Sequence, residues 1–406
     1  MSVHRSFVAL SLATVLSTSG TRLSAIAIPW LVLTTTGSPV LTGLAGFAEM
    51  LPYVVAKALG GPLIDRIGAR RVSVWCDMLS AAAVALVPLL FWAGLLSIWV
   101  LLPAVALIGV LRAPPDAAKQ ALVPMVAALG KLPMERVTGV MGASDRLAGT
   151  LGAAGAGILI ALLGPAPALL VNALAFVLSA LAVGLGIPAQ HAPAQQRDTT
   201  YQTELSAGWT VLRNDPVLVS LVIMIAITNL FDMAYSIVLL PVWVRSSGLD
   251  VSWVGILLAT FSAGAIFGAA IAAAVGHRLP RLLLYTAGFF CCGPLAMSVL
   301  ALDLPLPVIV TVLLFGGISA GSINPIIGVI LFERVPAAMT GRVVALFGAL
   351  AWALMPFGGV YAGLLVDSWG ISIALGVTAM LYLVAAFAPL IVPSFRQMKR
   401  QPLAQA

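Results

Sequence analysis

Charged side chains inside long apolar stretches are the residues of this sequence that could do chemistry. Glu49, Asp145 and Asp232 lie within such stretches, and Arg22 and Arg146 are bases in comparable positions. A charged residue at the centre of a membrane helix costs about 2.5–3.5 kcal/mol on insertion scales. Such residues persist when they pair, face water or have a function, so we take them as candidate functional groups.

A carboxylate inside a membrane protein can carry protons. Removal from water raises the affinity of an acid for a proton, so the group can load and release one as its access to water alternates. We predict Asp232 as the first candidate for this role, with Asn229 three residues earlier on the same helical face. Glu49 is the second candidate and Asp145 the third. The alternative for each acid is a fixed salt bridge with an intramembrane arginine.

A second set of polar and aromatic residues could bind a cargo. A guanidinium repels cations and can hold a carboxylate or phosphate through two hydrogen bonds. If no acid neutralises it, Arg22 therefore favours a cargo with an anionic group. The other candidates for a substrate cavity are Arg146, Asn229, Ser236, Asn324, Phe231 and Trp352. Each of them could instead bond or pack against a neighbouring helix.

Other charged and sulfur-containing residues indicate structure rather than reaction chemistry. Arg112 and Asp116 are four residues apart, hence on one helical face, so we predict an ion pair between them. The three cysteines lie in or beside apolar stretches, which provides no disulfide framework and no metal-ligand spacing. None of the three histidines lies within an apolar stretch. We therefore predict no metal, no cofactor and no enzymatic activity.

The elements that must position these residues are membrane helices. The chain has 406 residues, of which 61% are hydrophobic and 9% charged, against about 25% charged in soluble proteins. One span needs about 20 apolar residues. We predict twelve spans, at residues 7–33, 41–62, 73–94, 98–121, 138–162, 166–187, 216–243, 252–275, 282–301, 306–331, 341–365 and 371–393. The predicted fold class is an all-α polytopic membrane protein.

Basic residues predict the orientation of these spans. Most of the 21 lysines and arginines fall at the N-terminus, in the loops from even to odd spans and at the C-terminus, and only Arg245 falls in the opposite loops. The positive-inside rule then predicts that both termini lie in the cytoplasm. The expected location is the inner (cytoplasmic) membrane of the cell. This placement accounts for the net charge of +7 without a nucleic-acid partner.

The longest polar interruption divides six spans from six. We predict an N-terminal bundle at 1–187, a cytoplasmic linker at 188–215 and a C-terminal bundle at 216–406 with a short basic tail. Residues 205–212 of the linker could form a surface helix. The halves also echo each other, because Gly43 pairs with Gly255 at the same offset that relates Asp65 to His277. Such correspondence indicates a duplicated six-helix unit.

A short charged loop joins the second and third predicted spans. Glycine permits a tight turn there, and an aspartate can lie against the positive N-terminal end of a helix. Arginines can pair with acids at neighbouring cytoplasmic ends, so the loop could lock that side closed in one state. The predicted cytoplasmic gate consists of Gly61, Asp65, Arg66, Gly68, Arg70, Arg71 and Asp77. The alternative is a basic loop that only sets topology.

The glycines, aspartate and arginines of this loop resemble the signature loop of the major facilitator superfamily. Further segments are similar to the macrolide-efflux-like and actinobacterial multidrug-efflux branch of drug–proton antiporters. These segments are Ile28-Pro29-Trp30-Leu31, residues 118–124, Gly341-Arg342-Val343, Met355-Pro356 and residues 363–367. The resemblance covers nearly the whole chain. It implies two pseudo-symmetric six-helix bundles that work by alternating access.

The resemblance implies a secondary transporter that exports small amphipathic molecules, drug-like or antibiotic, in exchange for protons. The expected partners are a small-molecule substrate, protons and the lipid bilayer, and the expected working unit is a monomer. Siderophore exporters share this branch, so export of an anionic natural product is one alternative. A non-transporting membrane scaffold or sensor is another.

Overall fold

The computed structural model describes residues 5–59, 64, 66–130, 133–188, 201–275, 280–336 and 339–398. None of these residues lies in a β-strand. The helices are α1 Arg5–Thr36, α2 Pro39–Leu59, α3 Ala69–Trp92, α4 Ile98–Gly130, α5 Met134–Leu163, α6 Pro165–Gly186, α7 Tyr201–Asn214, α8 Pro216–Ala234, α9 Leu240–Ser246, α10 Ser252–Val275, α11 Arg281–Cys292, α12 Pro294–Ala301, α13 Leu306–Ala320, α14 Ile323–Arg334, α15 Thr340–Trp352, α16 Met355–Trp369 and α17 Ile371–Ile391.

The helices coincide with the predicted spans. Among the described residues, eleven helical stretches are long and apolar enough to cross a membrane. The more polar α1, which carries Arg22, is long enough as well, since its 32 residues rise about 48 Å. These stretches match all twelve predicted spans, so the all-α polytopic fold is confirmed. The surface helix expected in the linker is α7, which extends beyond 205–212 at both ends.

Within the described residues, four of the twelve predicted spans are interrupted. A π-helix at Tyr235–Leu239 separates α8 from α9, and Gly293 separates α11 from α12. Two similar breaks divide α13 from α14 and α15 from α16. Proline stands at the start of α12 and α16, where its missing N–H needs no helical partner. Because π-helical turns are frequent at functional sites, the π-helix that begins three residues after Asp232 marks this span for attention.

The chain folds as two compact units. Unit 1 comprises Met1–Gln195, Leu240–Ala259 and Gly359–Leu364, and unit 2 comprises Gln196–Leu239, Thr260–Gly358 and Leu365–Ala406. Two segments expected in the C-terminal bundle, Leu240–Ala259 and Gly359–Leu364, thus group with unit 1. The division into two six-helix bundles joined by a linker stays a prediction.

Within each unit, a small number of helix pairs position the candidate side chains. In unit 1, α1 packs against α5 and α6, α2 packs against α4, and α3 packs against both α4 and α6. In unit 2, α8 packs against α15 and α17, and α17 also packs against α11 and α12. Since lipid supplies no hydrophobic drive, close packing and polar bonds must hold such helices together.

Candidate functional site

Glu49 and Arg112 form a buried ion pair in unit 1. Arg112 Nη1 lies 2.5 Å from Glu49 Oε1, and the side chains are 5% and 6% exposed. Gly109, one turn before Arg112, has no side chain, and any Cβ there would clash with the Glu49 carbonyl of α2. This close approach of α2 and α4 brings the acid to the base. Glu49, the second candidate proton carrier, is therefore neutralised by an arginine on a neighbouring helix.

The pairing of Arg112 corrects the predicted Arg112–Asp116 ion pair. Asp116 instead accepts a hydrogen bond from the Tyr53 hydroxyl at 3.2 Å. The Tyr53 ring lies 5.0 Å from the Arg112 guanidinium carbon, which is a cation–π distance. Helical spacing correctly placed Arg112 and Asp116 on one face, but that face packs against α2. Glu49 of α2 pairs with Arg112, and Tyr53 of α2 donates a hydrogen bond to Asp116.

Asp77 and Lys119 form a second buried pair in unit 1. Lys119 Nζ lies 2.9 Å from Asp77 Oδ2, with side chains 4% and 0% exposed. The Ser179 hydroxyl of α6 donates to the same carboxylate at 2.7 Å. Three helices, α3, α4 and α6, are thereby joined through one carboxylate. Asp77 was predicted to belong to the cytoplasmic gate, and this prediction is corrected: Asp77 is a packed interior group paired with Lys119.

Arg70 caps a helix end instead. Its Nε donates to the Ile187 carbonyl at 2.7 Å, and its Nη2 donates to the Gly184 carbonyl. Arg5 and Ser6 donate to the neighbouring carbonyls of Leu185 and Gly186. The last carbonyls of a helix lack internal partners and carry partial negative charge, so a cation at the end of α6 is favoured on both grounds.

The other predicted gate residues are only partly described. Gly61 and Asp65 lie outside the described residues. The Arg66 and Arg71 side chains are exposed. Gly68 precedes α3 with φ +92°, a backbone conformation that favours glycine over any residue with a Cβ. The glycine requirement thus has a local physical cause, and the gating role of the loop stays a prediction.

Arg22 is an exposed base in the middle of α1. Its guanidinium faces Gly149 of α5, where a Cβ would lie 3.6 Å from Nε and Nη2. Asp145, which also lies on α5, interacts electrostatically with the guanidinium. The Asp145 carboxylate accepts a hydrogen bond from the Thr18 hydroxyl at 2.8 Å. Over the described part of the chain, no acid lies within 4.0 Å of the guanidinium. Arg146 is exposed beside Asp145.

Asp232 is an exposed acid in the middle of α8, in unit 2. Its neighbours Phe231 and Ala234 are buried at 7% and 0% exposure, so α8 is packed on that side, while the Asp232 side chain is exposed. The Tyr382 hydroxyl forms a side-chain hydrogen bond with its carboxylate. No lysine or arginine of the described ranges forms an ion pair with it. Asp232 thus differs from Glu49 and Asp77, each of which is paired with a buried base.

The remaining cavity candidates have mostly structural contacts. Asn229 donates to the Ala351 carbonyl at 2.9 Å and so joins α8 to α15. Ser236 donates to the backbone carbonyl of Asp232 at 2.8 Å, within the same span. Phe231 is buried against Tyr382, with ring centroids 5.9 Å apart. Asn324 is exposed and Trp352 half-buried. Asn229 and Ser236 are half-buried as well, so Asn324 is the member of this set with the most surface for a cargo.

Sequence reasoning missed the partners of the acids. Tyr53 stands four residues after Glu49 in α2, so helical spacing could have identified it as a neighbour. Lys119 and Ser179 lie on helices other than that of Asp77, and Tyr382 is 150 positions from Asp232 in the chain. No local spacing relates such residues. Within the described residues, no three His, Cys, Asp or Glu side chains group as metal ligands.

Comparison with known proteins agrees with the fold. The family model described as Major Facilitator Superfamily matches residues 10–360. The chain belongs to the major facilitator superfamily. It is therefore a membrane transporter rather than an enzyme.

Curated relatives of this transporter include efflux proteins. It is 30% identical over 402 residues to the multidrug efflux pump Tap of Mycobacterium bovis (strain BCG / Pasteur 1173P2), covering 97% of this chain and 94% of the relative. It is also 30% identical to Tap of Mycolicibacterium fortuitum, covering 91% and 92%. Macrolide efflux protein A of Streptococcus pyogenes is 23% identical, covering 83% of each chain. These relatives belong to the branch indicated by the sequence.

Solved structures support the fold alone. A bacterial homologue of the iron transporter ferroportin, in its inward-facing state, aligns with TM-score 0.74 and 17% identity, covering 98% of this chain and 100% of that one. A bacterial homologue of the human lysosomal transporter Spinster aligns with TM-score 0.75 and 14% identity, covering 98% and 99%. Identities this low carry no information about cargo.

Proposed function

We propose that this transporter exports small amphipathic molecules of drug or antibiotic type, and that protons moving inward drive the export. The observation that carries the proposal is the 30% identity along 97% of the chain to a protein named as a multidrug efflux pump. The similarity to macrolide efflux protein A supports the same direction of transport.

Asp232 is the proposed proton carrier. A coupling carboxylate must lose and regain its proton as its access to water changes. An acid held by a buried base is poorly suited, because protonation would leave that base without a counter-charge. Glu49 is held in this way by Arg112, whereas the side chain of Asp232 is exposed and bonded to a neutral phenol. Asp145, bonded to Thr18, is the next candidate.

The proposal includes alternating access of the cargo site to the two sides of the inner membrane. Both termini lie in the cytoplasm, as the distribution of basic residues supports. The loop that contains Asp65, Arg66 and Arg71 forms the cytoplasmic gate. One chain is the working unit, composed of two six-helix bundles.

Transport into everted inner-membrane vesicles tests the proposal. The probes are ethidium as a lipophilic cation, erythromycin as a macrolide amine and fluorescein as an anion, each with an imposed acid-inside gradient. We expect ethidium and erythromycin to accumulate, and accumulation to stop when nigericin collapses the gradient. Vesicles without the protein are the control. Accumulation that is insensitive to nigericin would remove proton coupling, and absence of transport for every probe would favour the scaffold or sensor.

A second candidate, export of an anionic cargo, is favoured by the exposed Arg22. A hydrogen-bonded ion pair with a cargo carboxylate would be lost in Arg22→Gln, so we expect fluorescein transport to fall about tenfold or more. Ethidium transport should stay within about twofold, and Arg22→Lys should retain part of the fluorescein transport because it keeps the charge. Equal losses for both probes would assign Arg22 to structure.

A further inference from the structure

Tyr382 is the side chain that contacts the proposed proton carrier. It lies on α17, is fully buried at 0% exposure, and its hydroxyl is hydrogen-bonded to the Asp232 carboxylate. The same hydroxyl lies 3.4 Å from Cys292 Sγ at the end of α11. Tyr382 thus joins the acid of α8 to a third helix. A phenol that donates to a carboxylate stabilises the charged form of the acid.

Gly293 determines where the Tyr382 ring can lie. The glycine occupies the break between α11 and α12, with φ −93° and ψ −62°, which any residue can adopt. A Cβ at this position would overlap the Cε2, Cζ and Cδ2 atoms of the Tyr382 ring. The opposite contact of the ring is Phe231, at a centroid distance of 5.9 Å. The absence of a side chain at 293 is therefore what lets the ring reach Asp232.

The titratable groups near Asp232 are few and neutral. Tyr382, Cys292 and Tyr235 interact with it electrostatically, and all three are uncharged at neutral pH. The described part of α15, which packs against α8, carries no titratable side chain beyond residue 342. Arg213 of α7 and Arg396 of the short helix Pro393–Met398 lie toward the start of α8. The rise of α8 from Pro216 to Asp232 is about 24 Å. The Tyr382 hydroxyl is therefore the group best placed to set the proton affinity of the acid.

We propose that Tyr382 is a positioning residue which, seated on Gly293, sets the pH range in which Asp232 exchanges protons and hence the pH dependence of transport. The proposal rests on the proposed function, since it deepens the role of Asp232. The hydroxyl favours release of the proton by donating to the carboxylate that remains. Loss of the hydroxyl leaves the acid protonated up to a higher pH.

Tyr382→Phe and Gly293→Ala test this role from two sides. Tyr382→Phe keeps the ring and removes the donor, whereas Gly293→Ala keeps the donor and displaces the ring. The measurement is ethidium transport by proteoliposomes across a series of pH values at a constant pH difference. For Tyr382→Phe we expect the pH of half-maximal transport to rise by about one unit, since a hydrogen bond to a charged group changes an equilibrium about tenfold or more. Gly293→Ala should shift it in the same direction.

The double variant and matched controls separate this role from general damage. Tyr382→Phe combined with Gly293→Ala should shift the profile no further than Tyr382→Phe alone, because both remove one interaction. Tyr285→Phe is the tyrosine control, since its buried hydroxyl has no hydrogen-bond partner in the described residues. Gly376→Ala on α17 is the glycine control, because a Cβ there meets nothing within 4 Å. Both controls should keep the wild-type profile.

Proton release on ethidium binding gives a second readout in detergent, measured with a pH indicator in weak buffer. The pH range of release should move upward in Tyr382→Phe by the same amount as the transport profile. Wild-type profiles in both Tyr382→Phe and Gly293→Ala would overturn the proposal, and so would an equal shift in Tyr285→Phe. If wild-type transport itself ignores the pH gradient, the proposed function fails instead, so the two failures are distinguishable.

Discussion

Two buried acids of unit 1, Glu49 and Asp77, and one exposed acid of unit 2, Asp232, have opposite kinds of partner. Glu49 and Asp77 each contact a base, at 2.5 Å and 2.9 Å, and are 5% and 0% exposed. Asp232 is exposed and contacts a phenol. A carboxylate locked to a base cannot change its charge without leaving the base uncompensated, whereas a carboxylate bonded to a phenol can. Glu49 and Asp77 therefore serve packing, whereas Asp232 is available for proton exchange.

The largest expected effect on stability is at Asp77. Asp77→Asn leaves the Lys119 ammonium, whose side chain is 4% exposed, without a counter-charge. Removal of one partner of a buried pair costs about 3–5 kcal/mol. We expect a strongly lowered thermal unfolding temperature for the detergent-purified protein. Asp77→Asn combined with Lys119→Met is the control, and it should recover most of the loss. A single variant as stable as the double would remove the structural role of the pair.

A smaller loss is expected for Glu49→Gln. Arg112 still interacts with the negative charge of Asp116, and the Tyr53 ring still covers the guanidinium at 5.0 Å. We expect a loss of about 1–3 kcal/mol in the free energy of unfolding, measured by thermal unfolding beside ethidium transport. Transport per folded molecule should stay near the wild-type value. If instead coupling is lost while stability is unchanged, Glu49 is the proton carrier and the contrast between the units fails.

The smallest effect on stability, and the largest on transport, is expected for Asp232→Asn. No base of the described residues loses its partner, so the free energy of unfolding should change by less than about 1 kcal/mol. Transport of ethidium driven by the pH gradient should be abolished, because asparagine carries no exchangeable charge. Asp303→Asn, at an exposed turn with φ 49° that asparagine tolerates, is the matched control. Undiminished transport in Asp232→Asn would remove it from the coupling role.

The sequence by itself determined where the helices lie in the chain and how far along each membrane span a charged residue stands. Runs of about 20 apolar residues have one stable solution in a bilayer, because a helix satisfies its own backbone groups. The twelve predicted spans accordingly match the helices, and Asp232 was recognised as an intramembrane acid from its position alone. The signature loop and the segments around Ile28 and Met355 also identified the family, which the match over residues 10–360 confirms.

The tertiary structure decided which charges meet. Helical periodicity shows that Arg112 and Asp116 share a face, but only the packing of α2 on α4 shows that Arg112 forms its ion pair with Glu49. In the same way, Asp77 is joined to Lys119, while Arg70 caps α6. The bond from Tyr382 to Asp232 depends on a missing side chain at Gly293, far away in the sequence. Partners of this kind are fixed by where helices touch, and twelve apolar spans of similar length do not encode those contacts in any local spacing.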